Sequence, residues 1–127
     1  MPVSTAKNKS VRFLSSVWVP VFLCMAAIFC VSSVPAKDIP GLFPFQDFVY
    51  HFGAYLSLWF LSSRAIKKSW NIQILKVIII TLVFGSLYAI SDEFHQSLVP
   101  GRDASLVDFM VDAAGNFTGG FIYRWLV

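Results

Sequence analysis

The chain has 127 residues, of which 57% are hydrophobic and only 13% charged, with a net charge of +3 and a mean hydropathy of +0.68. Soluble domains hold roughly 45–50% apolar residues, so this composition excludes an ordinary soluble domain and points to a single membrane domain over residues 1–127. In such a chain the placement of positive charge matters more than its sum, and no nucleic-acid partner is expected.

The opening segment, Met1–Arg12, is polar and basic, with Lys7, Lys9 and Arg12. Phe13–Val34 follows without a charge, long enough for the roughly 20 residues of a spanning helix. A cleaved signal peptide would have a shorter apolar core, about 7–15 residues, and a small-x-small site after it. An uncleaved first helix is therefore predicted over 13–34, with Pro20 kinking it or ending its first turn. Cys24 and Cys30 lie too far apart on that helix to bridge each other and read as packing residues. The linker Pro35–Pro44 contains PGLFPF, whose prolines and glycine forbid a helix and whose phenylalanines suit the lipid interface.

Residues 48–66 form the second predicted helix, closed by Arg64, Lys67 and Lys68, with Trp70 as an interfacial anchor. The third, 72–98, stops before Pro100–Gly101. Ser105 is the expected N-cap of the fourth, 105–126, with Asp108 three residues on completing a capping pattern. Gly115-x-x-x-Gly119 permits close approach of a neighbouring backbone. The fold class is all-α, an integral membrane bundle of four transmembrane helices.

Charge orients the bundle. The opening tail carries three Lys/Arg and the turn between helices two and three carries four (Arg64, Lys67, Lys68, Lys76), against one each in the other loops, Lys37 and Arg102. Both termini are therefore expected in the cytoplasm of a multi-pass plasma (inner) membrane protein. At 1.5 Å per residue, His51 lies roughly 20 Å outward of Arg64, Asp92 about 24 Å outward of Lys76 and Asp112 about 18 Å outward of Arg124. All three fall within a hydrocarbon core of about 30 Å. Ionisable groups at that depth mark a function, and a polar chamber open to the extracytoplasmic face accounts for them.

Side-chain direction supports the chamber. Asp47, His51 and Tyr55 share one side of helix two, Asp108, Asp112 and Gly115/Asn116 one side of helix four, and Asp92 and Gln96 one side of helix three. Glu93 and His95 point about 160° apart, so one of them looks away from the centre.

Taken together, Asp47-x-x-x-His51-x-x-x-Tyr55, Asp92-Glu93-x-x-Gln96, Pro100-Gly101-Arg102, Asp108 and Gly115-x-x-x-Gly119 resemble the VanZ family. That family is named for a protein associated with resistance to the glycopeptide teicoplanin. The likeness covers about Asp47 to Gly119, and it departs from the family pattern at Phe48, usually Lys, and at Asp112, more often Asn. The place of His95 is less fixed in the family. The resemblance implies a membrane protein of the cell envelope, beside enzymes that exchange or cleave lipid head groups, phosphatidylserine synthases among them.

The residues suit phosphoester chemistry. Arg102 can grip a phosphate bidentately, with Gln96, His95, Tyr55 and Asp112 as further substrate contacts. His51 or His95 can act as base or nucleophile, oriented by a carboxylate. Asp47, Asp92, Glu93 and Asp108 complete the candidate catalytic set, and Asp92, Glu93 and Asp108 can also bind a hard divalent cation, the one candidate cofactor. Membrane lipids or a lipid-linked precursor are the expected partners. Blander roles exist: Asp108 as a helix cap, Arg102 paired with Glu93 or Asp103, and Gln96 as interhelical glue. Two other functions compete, a non-catalytic protein that binds or shields lipid or cell-wall precursor, and an ion or proton pathway.

Overall fold

A computed structural model describes residues 3–127, with side chains described from Asn8 onward. Four helices carry the chain: α1 (Val3–Ser32), α2 (Gln46–Trp70), α3 (Ile74–Ser97) and α4 (Leu106–Leu126), and no strand occurs among the described residues. Helix α1 starts well before the apolar run, because Ala6, Lys7, Lys9 and Arg12 are all good helix formers. Pro20 therefore lies in its interior and does not end a first turn. The helix continues on both sides of it, since a proline removes only one N–H from the ladder.

The linker makes a single 3-10 turn, Ala36–Asp38, opened by Pro35 at φ −58°, ψ 145°. The proline-rich remainder is free of helix, as its sequence requires. Helix α2 passes its expected end at Ile66 and runs to Trp70. Asn71 stops it: the residue is left-handed at φ 46°, and its N–H donates to the Lys67 carbonyl at 2.9 Å, a C-cap for which asparagine is suited. The start of α4 follows the sequence reading. Ser105 is extended at φ −125°, ψ 133°, and its Oγ accepts from the N–H groups of Val107 at 3.1 Å and Asp108 at 3.4 Å.

Two segments, Asn8–Ser32 and Ile74–Ser97, are long and apolar enough to cross a membrane. In α3 the polarity is arranged inside out. Its exposed stripe is Leu75, Ile79, Val83, Leu87, Ile90 and Phe94, while its buried residues include Thr81, Asp92, Glu93 and Gln96. A surface stripe of that size is costly in water and natural against acyl chains.

The tightest seam joins α2 and α4. A Cβ at Gly115 would stand 2.6 Å from the Phe52 carbonyl oxygen, and one at Gly119 would stand 2.8 Å from that of Leu56. Only glycine lets the two backbones meet so closely. Gly120 leaves the space taken by the Trp59 ring. Helix α1 is attached by side chains instead. Trp18 Nε1 donates to Ser69 Oγ at 2.9 Å on α2, and the Tyr88 hydroxyl of α3 donates to the Met25 carbonyl at 2.6 Å.

At the opposite end from the α2–α3 turn, the linker and the α3–α4 loop touch. The Ala36 N–H donates to the Pro100 carbonyl at 3.3 Å. Gly101 holds φ 74°, and a Cβ there would lie 3.2 Å from that of Ala36. Buried Gln46 ties the linker to α2: its Oε1 accepts from the Leu42 N–H at 2.7 Å and its Nε2 donates to the Pro40 carbonyl at 2.8 Å. These contacts frame a mouth over the ends of three helices.

Candidate functional site

Below that mouth the second turn of α2, the last turns of α3 and the second turn of α4 bring His51, Asp92 and Asp112 together. His51 Nδ1 lies 2.8 Å from Asp112 Oδ1, with the histidine side chain 11% exposed and the aspartate fully buried. One ligating atom from each of His51, Asp92 and Asp112 lies within 4.8 Å of the others. The Tyr55 hydroxyl, one turn below His51, donates to Asp92 Oδ2 at 3.3 Å. The close α2–α4 seam makes this possible, because Gly115 sits one turn from Asp112 and packs on Phe52 and Tyr55.

The other candidates divide around this centre. Glu93 turns inward: it is buried, its Oε2 accepts from the Ser105 N–H at 3.1 Å, and it lies within electrostatic range of His51, Asp108 and Asp112. His95 turns away. Its ring stacks on Phe29 of α1 with centroids 4.4 Å apart, and its Nε2 lies 2.9 Å from Ser33 Oγ. The sequence left open which of these two faces the centre, and the structure assigns that place to Glu93. Gln96 is buried and donates from Nε2 to Ser32 Oγ at 3.3 Å.

Asp47 is exposed at the mouth and Asp108 is half-buried beside it. Arg102 is also half-buried. It forms no ion pair among the described residues, where the one salt-bridge contact is His51–Asp112. Its pairing with Glu93 or Asp103 is therefore not seen. Of Asp92, Glu93 and Asp108, which the sequence offered for a cation, Asp92 lies near His51 and Asp112.

Two cavities meet at these side chains. The first, about 660 Å³, lies between α1 and α2 and is walled by Ala27, Ile28, Val31, Gly53 and Ala54. The second, about 730 Å³, opens under the loops beside Phe45, Gly101, Asp103 and Asp108. Asp47, His51, Gln96 and Arg102 line both. An apolar chamber and a more polar one thus share a boundary that holds Asp47, His51, Gln96 and Arg102.

Two residues, Gln46 and Ser32, escaped the sequence reading, and a third, Asn116, was read only as sharing a face of helix four with Asp112. Gln46 organises the linker, a role hidden because its partners are backbone groups of a loop. Ser32 receives Gln96. Asn116 is fully buried with neither amide atom hydrogen-bonded, its side chain filling the notch left by Gly85 of α3. The i, i+4 relation to Asp112 was the only signal for it.

An apolar-shelled helical bundle with buried acidic and polar groups toward one end defines a class, the helical membrane proteins. A model of the VanZ/LLP1 family matches residues 13–127. The chain belongs to that family. No curated protein and no solved structure matches it.

Proposed function

We propose that the protein cleaves or exchanges a phosphoester of an amphipathic substrate, a membrane phospholipid or a lipid-linked envelope precursor. The single observation that carries this reading is the shared boundary of the two cavities. A molecule with its chain in the apolar chamber and its head group in the polar one would place its linking phosphate beside Arg102 and His51. A guanidinium with no ion-pair partner suits the non-bridging oxygens of a phosphate, which it can grip with two parallel N–H donors. The centre of His51, Asp92 and Asp112 then activates the attacking oxygen of water or an acceptor alcohol. Its proton is taken up within the centre, the new phosphorus–oxygen bond forms, and the bond to the leaving oxygen breaks. Arg102 offsets the charge that builds on the phosphoryl oxygens in between.

The same reading includes a topology. All four helices cross the plasma membrane, both termini are cytoplasmic, and the mouth faces the extracytoplasmic side. Helices α2 and α4, at 25 and 21 residues, have the length to span despite the polar groups they hold. Conversion of an envelope precursor at that face also supplies a link to glycopeptide resistance.

The test is turnover by the purified full-length chain, given labelled phospholipids and labelled lipid-linked diphosphates in separate reactions. Release of head group or phosphate by wild type, absent in His51→Gln, is the expected result. Saturable lipid binding without release would identify a protein that binds or shields its ligand and would overturn the catalytic reading.

A further inference from the structure

We infer that His51, Asp92 and Asp112 together hold one divalent cation of the manganese or zinc type. Three helices supply the ligands, one each from α2, α3 and α4, and their ligating atoms lie within 4.8 Å of one another. Neighbouring ligands about 2.1 Å from a common ion stand roughly 3 Å apart, and opposite ones about 4.2 Å. The 2.8 Å between His51 Nδ1 and Asp112 Oδ1 is already the spacing of adjacent ligands. A pair at the 4.8 Å limit must close by about 0.6 Å to stand as opposite ligands and by about 1.8 Å to stand as adjacent ones, so binding draws the side chains together.

Unspent bonding capacity gives a second, independent reason. Asp112 is fully buried, yet its Oδ2 has no hydrogen-bond partner. Asp92, 4% exposed, receives only the long 3.3 Å contact from Tyr55. Glu93 Oε1, within electrostatic range of His51 and Asp112, also has no partner. No Lys or Arg among the described residues forms an ion pair with any of these acids. Two buried carboxylates facing one imidazole are expensive to keep ionised, since desolvation of each must be offset by a proton or by an opposite charge close by. A divalent ion cancels the charge of Asp92 and Asp112 while the imidazole stays neutral.

Ligand chemistry narrows the choice of ion. One imidazole with two carboxylates suits manganese or zinc, whereas calcium asks for six to eight oxygens at longer range. Three protein ligands also leave coordination positions free, the arrangement of catalytic rather than structural sites. The ion would supply an activated water or alcohol for the phosphoester step. That role rests on the proposed function, but the binding itself does not.

The experiment uses the full-length chain in detergent, stripped with a chelator and then titrated with manganese(II) chloride alone. Bound ion is counted by electron paramagnetic resonance, and zinc is followed by calorimetry. One ion per chain is expected, with nitrogen modulation from a single imidazole in the pulsed spectrum of wild type. His51→Gln should lose that modulation and His95→Gln should keep it. Asp92→Asn and Asp112→Asn, near-isosteric changes that retain a hydrogen-bond acceptor, should each weaken binding by at least about tenfold. Asp103→Asn, outside the cluster, should bind as wild type does. Failure of wild type to bind one ion saturably, or a wild-type spectrum without imidazole nitrogen, overturns the inference even if a variant misfolds. A chain that binds the ion but turns over no lipid overturns the proposed function and leaves the metal site standing.

Discussion

A methyl group at Gly115 probes whether the α2–α4 seam builds the site. Its Cβ would sit 2.6 Å from the Phe52 carbonyl oxygen, 3.2 Å from the Leu56 nitrogen and 3.3 Å from Tyr55 Cβ. All three belong to one helix, and two are backbone atoms, so no side chain can swing aside. The shortest contact is about 0.8 Å inside the 3.4 Å at which ordinary contact begins. The helices must separate by a similar amount or bend. Overpacking of this kind costs about 1–3 kcal/mol. Gly53, on the same α2, has nothing within 4 Å of its Cβ position. Replacing glycine by alanine favours helix at both positions by up to about 1 kcal/mol, so that gain cancels in the comparison. Gly115→Ala should therefore be about 1–3 kcal/mol less stable than Gly53→Ala, measured by detergent-denaturant unfolding followed by circular dichroism.

Function should register the same strain. His51 precedes Phe52, and Asp112 lies one turn before Gly115. A separation of about 0.8 Å would stretch the 2.8 Å His51–Asp112 contact beyond hydrogen-bonding range. Gly115→Ala should thus lose the manganese signal as well as stability. Equal stability of the Gly115 and Gly53 variants would refute the claim that backbone contact there sets the helix spacing.

Other predictions follow from the placement of single residues. His51→Gln should accumulate in the membrane and lose at least about a hundredfold in turnover, the lower range for removing such a group. His95→Gln should lose far less, because that ring packs on Phe29 away from the centre. Arg102→Lys should insert normally but lose about tenfold or more, since an ammonium cannot make two parallel bonds to a phosphate; full activity would reduce the residue to a positive charge. Single cysteines at Lys37 and Asp103, with Cys24 and Cys30 replaced, should react with an impermeant thiol reagent applied outside intact cells. Reaction at Lys68 with protection at Asp103 would invert the topology.

Much of this architecture was legible in the sequence because its signals are local. Pro100–Gly101 ends α3, Ser105 caps α4, and the glycine spacing of α4 announces a close seam. Helical periodicity alone put Asp47, His51 and Tyr55 on one side of α2. Rotation of one helix against another was not legible. Glu93 and His95 point in opposed directions on any helix, and only the position of α1 decides that His95 meets Phe29 and Ser33. The composition of the central cluster was hidden for the same reason. Asp92, Glu93 and Asp108 are conspicuous in sequence, but Glu93 spends one oxygen on the Ser105 N–H and Asp108 stays nearer the mouth. Asp112 takes the central place because the α2–α4 seam carries it against His51. The ends of α1 and α2 were missed through weak signals, a helix-favouring polar tail in one case and a single left-handed asparagine in the other.

The unequal attachment of α1 has a consequence for access. At the site end α1 is held to α3 by the Phe29–His95 stack, the Ser33–His95 contact and the Ser32–Gln96 bond. On α2 it is held by the Trp18–Ser69 bond at the other end and, nearer the site, by the Cys24 thiol approaching the Ala54 carbonyl at 4.0 Å. Beside His51 the α1–α2 seam opens into the apolar cavity of about 660 Å³. Small residues line both sides there, Ala27 on α1 and Gly53 and Ala54 on α2, so the gap follows from side-chain size. His51, Asp92 and Asp112, by contrast, sit on α2, α3 and α4, and the closest seam in the bundle locks two of these helices together. A chain sliding between α1 and α2 would displace neither His51 nor Asp112. On the proposed reading, α1, which would border the substrate's chain, is separate from the helices that carry His51, Asp92 and Asp112.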